Sequence, residues 1–137
     1  MNVNIIAVTL SYLKLMKISN ILENVTSDKN LRETVILNLA YSLAKGALVN
    51  LTRQMSSYYS RYGIRVNNVC PGGVYDKSIS KSDISYKKLV KNYSQRSPIG
   101  RMASPEEIAG PIVFLASEQS SYISGTSLVV DGGWTAI

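Results

Sequence analysis

Apolar residues along the chain fall into runs of two kinds, helical spacing and compact β-branched blocks. From Asn4 to Met16 they lie all round, which predicts a helix packed in a core or at a subunit contact. Ile21–Val25 reads as a short strand. Between Leu39 and Tyr62 the positions Leu43, Ala44, Ala47, Leu48, Leu51, Met55 and Tyr58 recur at three-to-four spacing, and Gly63 follows where a helix C-terminal cap is expected. Ile64–Cys70 is compact and β-branched and runs into Pro71-Gly72-Gly73, as expected of a buried strand that delivers a turn suited to ligand contact. Ile84–Tyr93 is a basic, moderately helical stretch. Ser104-Pro105-Glu106-Glu107 combines a serine cap, proline in the first turn and glutamate in capping-box position, predicting a helix to about Ser117. Pro111 lies inside that helix and should kink it or shift its start. Ser127–Val130 is the last strand. Strands alternating with long helices imply parallel pairing through right-handed crossovers, hence an α/β sheet with helices on its faces.

At 137 residues and 45% hydrophobic content the chain has the size of one globular domain or a piece of one. It has no histidine and one cysteine, Cys70, so the usual zinc, copper and haem ligand sets are missing and no metal is expected. Cys70 cannot form an internal disulfide and reads as a small core residue in a reducing, cytoplasmic setting. The run from Val3 to Met16 lacks a basic leader and a small-residue cleavage site and is too short to span a bilayer, so no membrane role is expected. The net charge of +6 is concentrated in residues 77–101, where Lys77, Lys81, Lys87, Lys88, Lys91, Arg96 and Arg101 face a single acid, Asp83. A solvated lobe accounts for this patch most simply, and attraction of an anionic substrate is the sharper reading. No nucleic-acid-binding module accompanies the charge, which argues against that class.

Tyr41 and Lys45 carry the strongest chemical signal, since a spacing of four on a helix sets a phenol beside an ammonium. A phenol ordinarily titrates near ~10, and acid–base work at neutral pH requires roughly 4 kcal/mol of preferential stabilisation of the phenolate. One cation at ~4 Å and an effective dielectric of ~20 supplies about that much. Such a pair is common on ordinary solvated helices, so its context decides.

That context is Ala40-Tyr41-Ser42-Leu43-Ala44-Lys45-Gly46-Ala47-Leu48, then Ile64-Arg65-Val66-Asn67-Asn68-Val69-Cys70-Pro71-Gly72-Gly73, then Arg101-Met102-Ala103-Ser104-Pro105-Glu106-Glu107, and finally Val130-Asp131-Gly132-Gly133-Trp134. As an ordered set these motifs resemble the short-chain dehydrogenase/reductase family over nearly the whole chain. The resemblance implies the C-terminal catalytic half of a Rossmann-type, doubly wound parallel sheet, with about three strands and flanking helices, as one partial domain over residues 1–137. It also implies hydride transfer between a nicotinamide, NAD or NADP, and a hydroxyl or carbonyl carbon of a small substrate, with a sugar-derived molecule suggested by general likeness to sugar-metabolism members.

By the same resemblance Tyr41 exchanges the hydroxyl proton, and Lys45 favours the phenolate and holds the nicotinamide ribose. Ser27, within Asn24-Val25-Thr26-Ser27, orients the substrate oxygen, although it also reads as a turn or helix cap. Asn4, within Val3-Asn4-Ile5 on the preceding helix, holds a proton-relaying water. Pro71, Gly72, Gly73 and Val74 match the turn that lies along the nicotinamide, with the glycines admitting close approach and the Val74 main chain bonding the carboxamide. Two departures stand out. Residues 30–40 carry large aliphatic residues where the family has small ones, and Asp76 stands where threonine is usual.

No Gly-x-x-x-Gly-x-Gly turn occurs, so the pyrophosphate-binding segment of the family is not expected in this chain, and nicotinamide affinity should be weak. An alternative role is a non-catalytic assembly subunit. The helices of Asn4 and Tyr41 are those family members commonly use to form oligomers, so a homo-oligomer or association with a full-length relative is expected.

Overall fold

The computed structural model describes residues 3–7, 29–76, 78–79 and 83–136, with side chains described from Leu37 onward. The described elements are β1 (Val3–Ala7), α1 (Lys29–Tyr59), β2 (Ile64–Pro71), α2 (Ile84–Arg96), α3 (Pro105–Ala116) and β3 (Ser127–Val130). They fall into two compact units, Met1–Ala7 with Thr52–Ile137, and Val8–Leu51, so α1 contributes to both.

In the first unit β1, β2 and β3 form a three-stranded sheet in that order. All pairing is parallel, from Val3↔Ile64 to Ala7↔Asn68 on one side of β2 and from Asn68↔Ser127 to Pro71↔Val130 on the other. The parallel α/β architecture expected from the sequence is present. One element is not. Val3–Ala7 form a strand where a helix from Asn4 to Met16 is expected, and Asn4 pairs with Arg65. The reason lies in composition, since Val3, Ile5 and Ile6 are β-branched and suit a pleated surface better than a helix. The rest of the expected helix, and the expected strand Ile21–Val25, lie outside the described residues.

Val69, Ile108 and Leu115 form the core of this unit, flanked by Ala103, Ile112, Ile123, Leu128 and Val130. Helix α3 starts as its sequence predicts. Ser104 is the N-cap, Pro105 occupies the first turn, and the Glu107 carboxylate accepts the Ser104 N–H at 2.8 Å. Pro111 sits inside the helix.

The far end of α3 is held by β2. Arg65 donates through Nη2 to the carbonyls of Leu115 (2.9 Å) and Ser117 (3.1 Å), and through Nη1 to that of Ile123 (3.1 Å). These are carbonyls that a helix terminus and the following loop leave without intrahelical partners. Asn67 works beside it. Its Nδ2 donates to the Ile123 carbonyl at 2.9 Å, and its Oδ1 accepts the Thr126 N–H at 3.2 Å, tying β2 to the approach of β3.

Helix α1 begins ten residues before the expected Leu39, so the aliphatic stretch from Asn30 extends the helix. Its C-terminal end is the one the sequence predicts. A short 3-10 turn, Ser60–Tyr62, leads to Gly63, which adopts the left-handed conformation (φ 74°) and returns its N–H to the Ser60 carbonyl at 3.0 Å. Within the first unit, Ser56 of this helix is buried and its hydroxyl lies 2.7 Å from that of Ser124.

Asn67 is 2% exposed, and removing its amide leaves the Thr126 N–H without its side-chain acceptor, while the Ile123 carbonyl keeps the Arg65 guanidinium. Asn67→Ala is expected to destabilise the fold by about 1–3 kcal/mol, measured as the shift in urea unfolding, whereas an unchanged midpoint would show that the Thr126 N–H finds another partner.

Candidate functional site

Candidate chemistry in the first unit centres on the turn after β2. Gly72 N–H continues the sheet by donating to Val130 O at 3.0 Å. The chain then pairs with the residue before the α3 cap. Ala103 N–H donates to Gly73 O at 2.9 Å and Tyr75 N–H donates to Ala103 O at 2.8 Å, a parallel bridge between Val74 and Ala103. In this pattern Ala103 uses its own main-chain groups and Val74 does not, so the Val74 N–H and C=O face the opposite edge. The Val74 N–H has no partner among the described residues.

Helix α2 closes the turn from another side. Asp83 caps it by accepting the Tyr86 N–H at 3.0 Å. Tyr86 and Tyr93 are seven residues apart and share one helix face. The phenol oxygen of Tyr93 accepts the Gly73 N–H at 2.7 Å, and that of Tyr86 accepts the Asp76 N–H at 2.7 Å. A Cβ on Gly72 would lie 2.7 Å from the Tyr93 hydroxyl and 2.8 Å from Asp131 Cα, and one on Gly73 would lie 2.7 Å from the Tyr93 ring. Both glycines are therefore required by the protein's own packing.

Tyr93 stacks on Trp134 with ring centroids 4.6 Å apart and planes 8° apart, and the Arg96 guanidinium lies 5.4 Å from the Trp134 centroid. Trp134 is set by Asp131, whose carboxylate accepts N–H bonds from Gly133 and Thr135 and the Thr135 hydroxyl. The Thr135 hydroxyl and these amides hold the Asp131 carboxyl below its usual range. Between the turn, α2 and α3 remains a cavity of about 110 Å³, lined by Gly73, Tyr93, Ile99, Arg101, Val130 and Asp131 among others.

In the second unit, Tyr41 and Lys45 sit one turn apart on α1, with the Lys45 ammonium 5.3 Å from the Tyr41 ring centroid. Their adjacency matches the expectation from spacing. The ammonium lies over the ring, in a cation–π contact worth about 0.5–1 kcal/mol at an exposed site. Tyr41 is 65% exposed, so water screens the pair more than an effective dielectric of ~20 supposes.

Residues 3–135 match the family described as Enoyl-(Acyl carrier protein) reductase. The chain belongs to the short-chain dehydrogenase/reductase family. It is 46% identical over 102 residues to 2-(S)-hydroxypropyl-CoM dehydrogenase 3 of Xanthobacter autotrophicus, covering 72% of this chain and 40% of that protein. It is 41% identical over 93 residues to L-rhamnose 1-dehydrogenase (NAD(P)(+)) of Azotobacter vinelandii, covering 68% of this chain and 36% of the relative. Among solved structures, a short-chain dehydrogenase of Leptospira borgpetersenii with bound NAD+ aligns with a TM-score of 0.61 at 34% identity, over 70% of this chain and 35% of that one. The chain thus spans about 40% of the length of the curated relatives it matches.

Of the residues that the short-chain dehydrogenase/reductase resemblance marks, Tyr41 and Lys45 stand together in the second unit, and Pro71, Gly72, Gly73 and Val74 in the first. Asn4 lies on β1, where the resemblance places it on a helix. Ser27 lies outside the described residues. Asp76, the departure from threonine, is occupied locally. It accepts the Ser78 hydroxyl at 2.6 Å and the Ser78 N–H at 2.7 Å, and these bonds hold its carboxyl below the usual range. Sequence reasoning missed Tyr86, Tyr93 and Trp134 as parts of this region. The seven-residue tyrosine spacing, two helical turns, was the available signal.

The turn fits one end of a nicotinamide. A carboxamide carries an N–H donor and a carbonyl acceptor, complementary to the outward C=O and N–H of Val74.

Glu107 lines the same cavity and is chelated by Arg101 at 2.6 and 2.7 Å. The Arg101 hydrogen bonds first, and then the Ser104 N–H, pull its carboxyl from the ordinary 4.5 down to about 2. Its folded value lies below the unfolded one, so its contribution is complete above pH 4.5 and disappears as pH falls through about 2. Asp76 and Asp131 are shifted the same way, so Glu107→Gln isolates the effect. In urea unfolding between pH 6 and 2.5, wild type should lose its stability advantage over this variant as acid is added. A constant gap across that range would contradict the pairing.

Proposed function

We propose that this chain carries the catalytic segment of an NAD(P)-dependent oxidoreductase that moves hydride between a nicotinamide and a hydroxyl or carbonyl carbon of a small polar substrate. The observation that carries the reading is the Tyr41–Lys45 adjacency on consecutive turns of α1, inside a chain that belongs to this family. A bound nicotinamide supplies the hydride chemistry. Every other role falls to the protein. Tyr41 gives or takes the proton of the substrate oxygen at its phenol, and Lys45 favours the phenolate and binds the ribose. Ser27 orients the substrate oxygen. Val74 holds the carboxamide through its main chain, on a turn formed with Pro71, Gly72 and Gly73.

The exposure of Tyr41 sets a condition on this chemistry. Water must leave the phenol before the ammonium acts on it strongly, and bound reactants provide that exclusion. A sugar-like substrate is supported by the L-rhamnose 1-dehydrogenase relative, and the same relative's name supports use of either NAD or NADP. Free Cys70 suits a reducing cytoplasm. Among the described residues no helix is long and apolar enough to cross a membrane.

A second reading rests on α1 itself. Leu37, Leu43 and Leu51 are at least half exposed there, beside a shallow depression formed by Ser42, Gly46, Ala47 and Asn50. Such an apolar helix face suits assembly with a second copy or with a full-length relative.

Tyr41→Phe separates the two readings. Substrate-dependent NAD(P)H oxidation should fall about 10²–10⁴-fold in kcat with the sedimentation profile unchanged. Full activity in that variant, or in a complex containing it, would leave assembly as the role of the helix.

A further inference from the structure

We infer that Tyr86 and Tyr93 are a paired main-chain clamp, positioning residues that fix the turn after β2 so that the peptide edge of Val74 is the one left open to a ligand. The inference rests on the reading of that turn as a nicotinamide site, and adds to it the residues that shape it.

The backbone accounting is nearly complete. Between Gly73 and Asp76 four N–H groups leave the sheet. Gly73 donates to the Tyr93 phenol, Tyr75 to the Ala103 carbonyl and Asp76 to the Tyr86 phenol, each at 2.7 or 2.8 Å. Val74 alone of the four has no partner among the described residues. The acceptors on either side of it are phenols from one face of one helix, so the two bonds hold or fail with the placement of α2. Rings reinforce the arrangement. Tyr86 packs against Tyr75 at 5.8 Å between centroids, and Tyr93 is pinned between the glycines and Trp134.

Two consequences follow. Ordering of α2 and ligand affinity at Val74 are coupled, because a turn freed from either phenol can rotate its peptides away. The tyrosines also set selectivity by geometry, since a ligand must offer an acceptor and a donor in register with one residue's N–H and C=O, as a primary carboxamide does.

Amide hydrogen exchange by NMR on the full chain tests the clamp, using Tyr93→Phe and Tyr86→Phe, which keep the rings and remove the acceptors. In wild type, Gly73, Tyr75 and Asp76 should exchange slowly and Val74 quickly. Tyr93→Phe should speed Gly73 exchange at least tenfold, leave Tyr75 unchanged, and leave the emission of Trp134, the sole tryptophan, unaltered. Tyr86→Phe should do the same to Asp76. NADH at millimolar concentration should slow Val74 exchange in wild type and bind at least fivefold more weakly to the double variant. Gly73 and Asp76 rates within twofold of wild type, or unchanged NADH affinity in a double variant whose amides have loosened, would overturn the inference. If the phenol substitutions loosen their amides but NADH leaves Val74 unprotected in wild type, the clamp is upheld and the nicotinamide reading fails.

Discussion

A chain leaving the end of a parallel sheet must find partners for its backbone N–H groups, and much of the first unit is arranged around that requirement. The seven residues after Val69 pass from sheet pairing with Val130, to a bridge with Ala103, to two phenols of α2. Each hand-over fixes a further element. Pairing with β3 places the Asp131 turn, and the bridge places the start of α3. The phenols place α2, and with it the stack of Tyr93 on Trp134. The glycines belong to the same arrangement, since side chains at Gly72 and Gly73 would occupy the space taken by Tyr93 and Asp131. What this accounting leaves over is one amide, and one open main-chain edge is a natural place for a planar amide-bearing ligand.

At the other end of the unit, a second constraint holds the frame. The C-terminal carbonyls of α3 are met by Arg65, and the approach to β3 is met by Asn67, both from β2. Strand side chains thus join the local cap there, in which Ser117 returns its N–H and hydroxyl to the Phe114 carbonyl and the Ser120 hydroxyl donates to the Leu115 carbonyl. Arg101 and Glu107 play the corresponding part at the start of α3, where one carboxylate serves both an arginine and the N-cap amide.

Local rules were the legible ones. Ser104-Pro105 with Glu107, Gly63 after an apolar-periodic run, and the β-branched block from Ile64 are each decided by neighbours in sequence, and the elements they predict are present. Tyr41 and Lys45 belong to this class, because four residues on a helix fix their adjacency. Val3–Ala7 failed for a reason of the same kind. A short apolar run satisfies helix and strand patterns alike, and its partner on β2 lies some sixty residues away. The early start of α1 had its signal in Ser27, two residues before Lys29, which reads as a helix cap as well as a catalytic residue, while the first turn itself carries no acidic residue. The Tyr86–Tyr93 contacts are tertiary, and spacing alone gives the shared face without what that face touches.

The family resemblance supplied roles, and the described residues supply geometry: an outward main-chain edge at Val74, a close-packed glycine turn, and the Lys45 ammonium over the Tyr41 ring. Isotope-edited NOE spectroscopy with NADH reads the central claim most directly. Cross-peaks from the nicotinamide ring protons to the Val74 methyls are the predicted result, whereas contacts confined to the adenine protons, or to residues away from the turn, would contradict it.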